Sequence, residues 1–418
     1  AVVRRAEPPT YRLGEVPRTA AAADFGRSPW RDVPLANSCF PPGLDMTSNL
    51  QDSARLVRNG IQAATAGLVG RDQLAELIVL AAVAGEHLLV IGPPGTAKSA
   101  VVRRVAQALG GRYFEYLLGR FTEPSELFGP VDLRKLREGT VETDVTGMLP
   151  EADVAFLDEV FLGSTAILNT LLGVLNERRF RRGHTQVDCP LRVAVGAANA
   201  LPDDGGLAAF ADRFLLHLFV EPVPDHQLEA MLAGGWRSDA APASTPAGLV
   251  HLDTLCRTLH DVQLETVRPV LAEAVRELRR AGVHLSDRRI VKSQRLIAAA
   301  AVLAGRLQAG PADLWPLLYV LPTKEAQHSA RDVLKEPLAH ATHPHLFSAV
   351  EAASMQPMSR VGRLVDGARR CLASAEAGRT AEAEALLREI DANFHADALP
   401  AELAECRRSL AALLAVAA

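Results

Sequence analysis

Cysteine is scarce in this chain of 418 residues. There are five, Cys39, Cys189, Cys256, Cys371 and Cys406, far apart and with no C-x-x-C pair among them. That usage argues against a disulfide framework or a zinc site and suits reduced thiols in a cytoplasm. An excess of one charge is also lacking: 45 Lys and Arg stand against 49 Asp and Glu, for a net charge of −4. This balance argues against a nucleic-acid binder running on a general basic field and leaves room only for a local, pore-lining patch. No hydrophobic run is long enough to cross a membrane. The longest apolar stretch, Leu77 to Gly92, is broken by Glu86-His87 and changes period there, so it reads as a helix followed by a strand. Residues 1–50 lack apolar periodicity and any apolar core segment. They hold Pro8-Pro9, Pro17, Pro29, Pro34, Pro41-Pro42 and the run Ala20 to Ala23. The expectation is a disordered or surface-draped leader without a signal-peptide pattern, and Met46 is an alternative natural start.

What is present centres on Gly92-Pro93-Pro94-Gly95-Thr96-Ala97-Lys98-Ser99. The apolar run Leu88-Leu89-Val90-Ile91 precedes it and the helix-like Ala100-Val101-Val102-Arg103-Arg104-Val105 follows, which is the strand, glycine loop, helix order of a phosphate-binding P-loop. Backbone N–H groups of such a loop cradle phosphates, aided by the partial positive charge of the helix N-terminus. Lys98 would reach the β- and γ-phosphates and the Ser99 hydroxyl would ligate Mg²⁺. Ala97 departs from the usual glycine before the lysine, by one methyl group.

Downstream, Val154-Ala155-Phe156-Leu157 reads as a strand buried on both faces, with Asp158 and Glu159 emerging at its C-terminal end, where open α/β sheets bind ligands. Asp158 would hold Mg²⁺ through its water shell and Glu159 would polarise an attacking water. A third strand, Arg192 to Ala198, ends at Asn199, which can orient that water or contact the γ-phosphate. Ala211-Asp212-Arg213-Phe214 leads into a fourth, Leu215 to Val220. Arg213 at a strand mouth can serve a neighbouring subunit as an arginine finger; a structural salt bridge is the alternative.

In this order these elements resemble the Walker A, Walker B, sensor and finger set of an AAA+ ATPase. Phe114 to Pro130 (FEYLLGRFTEPSELFGP) and Ala166 to Phe180 (AILNTLLGVLNERRF) resemble the MoxR branch, especially its RavA-type subfamily, which commonly carries Ala at the position of Ala97. Val69-Gly70-Arg71 resembles the family's entry motif beside the adenine, and Ser286-Asp287-Arg288-Arg289 its sensor-2 region, with Arg288 as candidate and Arg289 as competitor. The resemblance covers roughly residues 55 to 335. It implies an α/β P-loop core with a parallel sheet flanked by helices, an all-helical lid and a C-terminal helical arm. By the same resemblance the protein would be a homo-hexameric remodelling ATPase using ATP and Mg²⁺, with a von Willebrand A-domain protein as partner, and the cysteine usage adds a cytoplasmic setting. Glu159, Asn199 and Arg213 would be catalytic. Val69, Gly70, the loop Gly92 to Ser99, Asp158 and Arg288 would bind nucleotide, with Ser99 and Asp158 on the metal. The alternatives are a chelatase-type motor driving metal insertion and a nucleic-acid-dependent motor.

The expected domains are the leader at 1–50, the ATPase core at 51–232, a linker at 233–248 rich in Ala, Pro, Ser and Thr, the lid at 249–344 and a helical hairpin or bundle at 345–418. Within the core, Asp132 to Pro150 reads as an inserted hairpin. Arg178 to Pro190 reads as a second, carrying Arg178, Arg179, Arg181 and Arg182; it would grip substrate, form a solvated turn or make an inter-subunit contact. A helix is expected over 164–176, with Ile167, Leu168, Leu171, Leu172 and Leu175 on its buried face. The tail's Leu386, Leu387, Ile390 and Phe394, then Leu403, Leu410 and Leu413, repeat at helical spacing. No stretch there has the β-character of the module that RavA-type proteins insert after the lid. His340, His343 and His345 read as incidental loop histidines, not a metal set.

Overall fold

The computed structural model describes residues 46–202, 204–238, 248–339, 341–354, 357–373, 379–394 and 399–417. Residues 1–45 of the expected leader and 239–247 of the expected linker lie outside these residues, while 46–50 open a helix and 233–238 close another.

Five strands form one parallel sheet: β1 (Leu88–Ile91), β2 (Tyr113–Leu117), β3 (Val154–Asp158), β6 (Val193–Ala198) and β7 (Leu216–Phe219), in the spatial order β2-β3-β6-β1-β7. In β1, Leu88 stands beside Val195 of β6 and Leu216 of β7, and all neighbours run the same way. The strand period of two explains why every residue of β1 is apolar. Leu88 and Val90 enter one core and Leu89 and Ile91 the other, so both faces of the strand are buried.

The first core is built by α1 (Met46–Thr65), α2 (Asp72–Ala84) and α3 (Lys98–Leu109). The second packs the short α4 (Pro124–Phe128), α6 (Thr165–Leu172) and α7 (Gly205–Ala211) on the opposite face. Between α4 and α6 lies α5 (Leu133–Arg137), and past β7 comes α8 (Leu228–Ser238). Helices on both faces of a parallel sheet make this an α/β P-loop fold.

Four further helices follow, α9 (Leu249–Thr258), α10 (Val267–Arg280), α11 (Asp287–Leu303) and α12 (Lys324–Val333). They share the first core without interruption, through Leu252, Leu271, Ile297 and Ala330, and Trp315 between α11 and α12 joins them. Next, α13 (Phe347–Ser354) lies on α2, where the buried Glu76 carboxylate accepts the backbone N–H groups of Ser348 and Ala349 at 3.2 and 2.7 Å. Finally α14 (Pro357–Ala373), α15 (Arg379–Asn393) and α16 (Ala401–Ala417) close a small bundle with its own core, including Leu364, Ile390, Leu403 and Leu410. An Arg58–Asp366 ion pair ties it to α1.

Several local expectations change. Residues 132–150 do not form a β-hairpin: one antiparallel bridge, Val131 to Thr143, closes a loop around α5, because Asp132 caps that helix through the N–H groups of Arg134 and Lys135. The helix expected over 164–176 stops as an α-helix at Leu172 and continues as a wider π-type turn, Gly173–Glu177. Gly173 sits there against the Arg179 carbonyl, with room for no more than a tight methyl. The second hairpin is β4 (Arg179–Arg182) against β5 (Thr185–Asp188). It leans on the 131–143 loop through His184 N–H to the Val141 carbonyl and Thr143 N–H to Thr185 Oγ1. Arg178 does not belong to its surface. It is buried at φ +55° and donates to the carbonyls of Leu175 and Gly85.

Candidate functional site

The loop Gly92 to Ala97 leaves β1 at its C-terminal end and opens directly into α3. Gly92 N–H donates to the Ala198 carbonyl, which keeps the loop in line with the sheet. A side chain at Gly92 is excluded by β7, since a Cβ there would stand 2.3 Å from the Val220 carbonyl oxygen. Pro93, Pro94 and Gly95 form the exposed crest, and the Thr96 hydroxyl folds back to donate to the Pro93 carbonyl. Ala97 takes the left-handed conformation, φ +60°, that glycine adopts at no steric cost. The sequence suggests only an extra methyl group; the backbone shows that this alanine carries strain. Lys98 is buried, and its ammonium group donates to the carbonyls of Gly92 (2.7 Å) and Pro93 (3.0 Å). Burial lowers its pKa, and the charges of Asp158 and Glu159 oppose that shift.

Those two acids end β3, beside the loop. Glu159 is left-handed at φ +49°, and its own N–H donates to Asp158 Oδ1. Such a conformation in a bulky residue costs energy and fixes where the carboxylate points. Asn199 follows the last residue of β6, the neighbouring strand, and its Nδ2 donates to Glu159 Oε1 at 2.6 Å. Lys98, Asp158, Glu159 and Asn199 therefore gather at the C-terminal edge of the sheet. A loop closed to a side chain at Gly92 and the hard oxygen donors of Ser99 and Asp158 fit a nucleotide phosphate with Mg²⁺.

Arg71 is a residue that motif reading passed over, quoted only as the last letter of Val69-Gly70-Arg71. Its guanidinium is buried and donates to the carbonyls of Thr96 (2.8 Å), Gly70 (3.0 Å) and Glu221 (3.1 Å). One side chain thus braces the phosphate loop, the Val69-Gly70 turn and the exit of β7. An arginine inside an otherwise small motif was the available signal; its partners lie 25 and 150 positions away.

Arg213 is not part of this cluster. It precedes β7, which runs parallel to β1, so it lies beyond Leu216 and Leu88 at the opposite end of the sheet. Three residue steps of β1 alone, about 10 Å, separate the two edges. Its Nε is buried without a partner, and its nearest acid is Asp212, at 4.0 Å. It lines an open groove with Asn169, Asn176, Glu177, Arg179 and Arg181. Arg288 joins this edge, donating to Asn176 Oδ1 (3.0 Å) and Asp212 Oδ2 (3.3 Å). Arg289 is 3 % exposed, and burial lowers its pKa against the opposing pull of Asp212. It donates to Asp212 Oδ1 and to the carbonyls of Phe214, Leu215 and Val320. No hydrogen bond joins Arg288 or Arg289 to the phosphate loop among the described residues.

The histidine triplet divides. His340 lies outside the described residues, while His343 is buried with Nε2 against the Ala300 carbonyl and Nδ1 accepting from His345 and Leu346 N–H. Among the described residues no cluster suited to a metal ion occurs, and no helix is long and apolar enough to cross a membrane.

A parallel sheet with a phosphate loop at one edge, two acids and an asparagine beside it, and a helical lid packed against it define the AAA+ class of ATPase. Residues 55–257 match the family model described as the MoxR domain in the MoxR-vWA-beta-propeller ternary systems, and residues 264–333 match an AAA lid domain. Over these two regions the chain is similar to MoxR-type AAA+ ATPases, the MoxR-domain match itself spanning just under half of the sequence. It is 33 % identical over 251 residues to an uncharacterized protein of Methanocaldococcus jannaschii, a match covering 60 % of this chain and 66 % of that one, slightly under two thirds of the relative's length. It is 28 % identical over 173 residues to Chaperone MoxR1 of Mycobacterium tuberculosis, covering 40 % and 45 % of the two chains. A solved structure of a provisionally named ATPase from Cytophaga hutchinsonii shares the fold at a TM-score of 0.57 and 17 % identity, covering 70 % of this chain and 95 % of that one.

Proposed function

We propose that this protein hydrolyses ATP at interfaces between its own copies and uses the cycle to remodel or activate protein complexes. The hydrogen bond between Asn199 and Glu159 is the observation that carries the reading. It holds a carboxylate, already constrained by its backbone, at the sheet edge where Lys98 and the phosphate loop converge. In that position Glu159 orients and polarises a water for in-line attack, and Asn199 reports the state of the γ-phosphate to β6. Lys98 exchanges its two loop carbonyls for phosphate oxygens. Ser99 and Asp158 would hold Mg²⁺, which would supply neutralising charge to the phosphates. Val69 and Gly70 flank the adenine, with Arg71 bracing them.

Arg213, at the far edge of the sheet, completes the site of a neighbouring copy, which a closed ring such as a hexamer satisfies for every subunit. Arg288, beside Arg213, then senses the neighbour's nucleotide rather than its own. The partner is a von Willebrand A-domain protein, as the name of the matched family suggests, and the chaperone-like role rests on the likeness to the Mycobacterium chaperone. The RavA-type affinity rests on the Phe114 to Pro130 and Ala166 to Phe180 motifs, and a cytoplasmic setting on the spacing of the cysteines.

Affinity capture from native lysate with Glu159→Gln, with and without ATP, tests this reading. The variant retains nucleotide and stalls turnover, so ATP-dependent recovery of a von Willebrand A-domain protein is expected. Recovery of nucleic acid or a chelatase subunit in its place would overturn the partner assignment. Unimpaired phosphate release by the variant would overturn the role of Glu159.

A further inference from the structure

We infer that Asp212 is a positioning residue that locks the lid helix α11 to the arginine finger, so that a subunit's lid sets the readiness of the finger it presents to its neighbour. The inference rests on the proposed in-trans role of Arg213 and names the residue that governs it. Among the described residues, Asp212 is the carboxylate at this edge that both lid arginines reach. Its Oδ1 accepts from Arg289 Nε at 2.6 Å and its Oδ2 from Arg288 Nη1 at 3.3 Å. Arg289 also holds the carbonyls of Phe214 and Leu215, so it grips the chain on both sides of Arg213. The finger side chain itself has no such support: its Nε is buried without a partner, and among the described residues its one ion pair is with Asp212, at 4.0 Å. The direction of Arg213 is therefore set by the backbone of residues 212–215, and that backbone is held by α11.

The grip is stiff for physical reasons. Ser286 caps α11 by accepting Arg289 N–H, so both arginines project from the first turn of a 17-residue helix whose far half is buried in the main core. The pair resists separation on the Arg289 side, because a guanidinium buried this deeply is costly to leave without its carboxylate. A rotation of the lid must carry residues 212–215 with it or break these bonds. Arg288 adds a second tether to Asn176, in the π-type turn at the base of the β4–β5 hairpin. Lid, finger and hairpin root thus meet around one carboxylate.

The test is ATP turnover by variants alone and in equimolar mixtures with Lys98→Ala, which lacks a working phosphate loop but keeps its finger and clamp. Asp212→Asn alone is expected to lose about tenfold or more in kcat, with KM for ATP within about twofold, since a misaimed finger slows chemistry while its own nucleotide pocket is intact. Mixed with Lys98→Ala it should recover about a quarter of wild-type activity, because half the phosphate loops are intact and half of those face an intact finger. Arg288→Gln, which leaves no buried charge unpaired, should show the same pattern with a smaller loss, and Asp212→Glu should restore part of kcat.

Arg213→Ala mixed with Lys98→Ala is the control. If wild type does not turn over ATP, or this pair does not complement, the in-trans reading itself fails. If the pair complements while both Asp212→Asn and Arg288→Gln keep wild-type kcat, or show losses that Lys98→Ala does not rescue, the clamp is refuted and the in-trans reading stands. An unfolded Asp212→Asn leaves Arg288→Gln to decide.

Discussion

Replacing Gly92 by Ala is the sharpest probe of how the sheet holds the phosphate loop. The added Cβ would lie 2.3 Å from the Val220 carbonyl oxygen, a backbone atom on the neighbouring strand that cannot rotate away. Carbon–oxygen contacts normally begin near 3.3 Å, so β1 and β7 must part by about 1 Å at this point. Overpacking of this size costs about 1–3 kcal/mol in a well-packed region. The functional loss should be larger. Gly92 supplies one of the two carbonyls that hold Lys98, and its N–H is tied to Ala198, one residue before Asn199. A 1 Å displacement of these groups puts Lys98 and the loop N–H groups out of register with the phosphates, which costs about a hundredfold in turnover. Thermal unfolding, binding of a fluorescent ATP analogue and steady-state phosphate release would measure the three effects. Unchanged nucleotide affinity and turnover, in a variant that folds, would refute the claim that contact with β7 sets the geometry of the loop.

Two further predictions follow from the backbone and from a buried acid. Ala97→Gly should stabilise the protein by about 0.5–1 kcal/mol, because relief of a left-handed alanine, about 1–2 kcal/mol, exceeds the added freedom of glycine in the unfolded chain; denaturant melts in the absence of nucleotide would check it, and destabilisation would contradict it. Burial raises the pKa of Glu76 from 4.5 to about 8, against the opposing pull of the two N–H groups it accepts. Its folded form therefore holds a proton that the unfolded chain releases above pH 4.5, so this group's contribution to stability declines as pH rises from about 4.5 to about 8. Glu76→Gln, which keeps an acceptor for α13, should flatten that part of the stability–pH curve, and an unchanged slope would show that Glu76 is not its source.

Local signals carried much of this protein. The order apolar run, glycine loop, helix at 88–109 is a pattern within one stretch of chain, and the structure has it as β1, the loop and α3. The buried runs at 154–157 and 193–198 are legible for the same reason: a parallel strand covered on both faces must be apolar throughout. Strand β2 was visible only as part of a family motif. Its pattern is half-buried and carries Glu115, because it forms the sheet edge and answers to one neighbour alone.

The sequence by itself determined the α/β core and the candidates for phosphate and acid chemistry at 92–99 and 158–159, because each is a pattern within a few positions, while the helical lid followed from the resemblance to a known family. The tertiary structure decided which candidates meet. Parallel pairing of β1 with β7 put Lys98 and Arg213 at opposite edges of one sheet. Packing of α11 on the finger loop separated Arg289, buried on four acceptors, from its half-exposed neighbour Arg288. Packing of the π-type turn against the end of α2 removed Arg178 from the hairpin's arginine cluster and turned it into a buried brace. Arginines adjacent in sequence look alike to any local pattern. Their burial and partners are set by elements dozens of residues away, and those contacts exist only once the chain has folded.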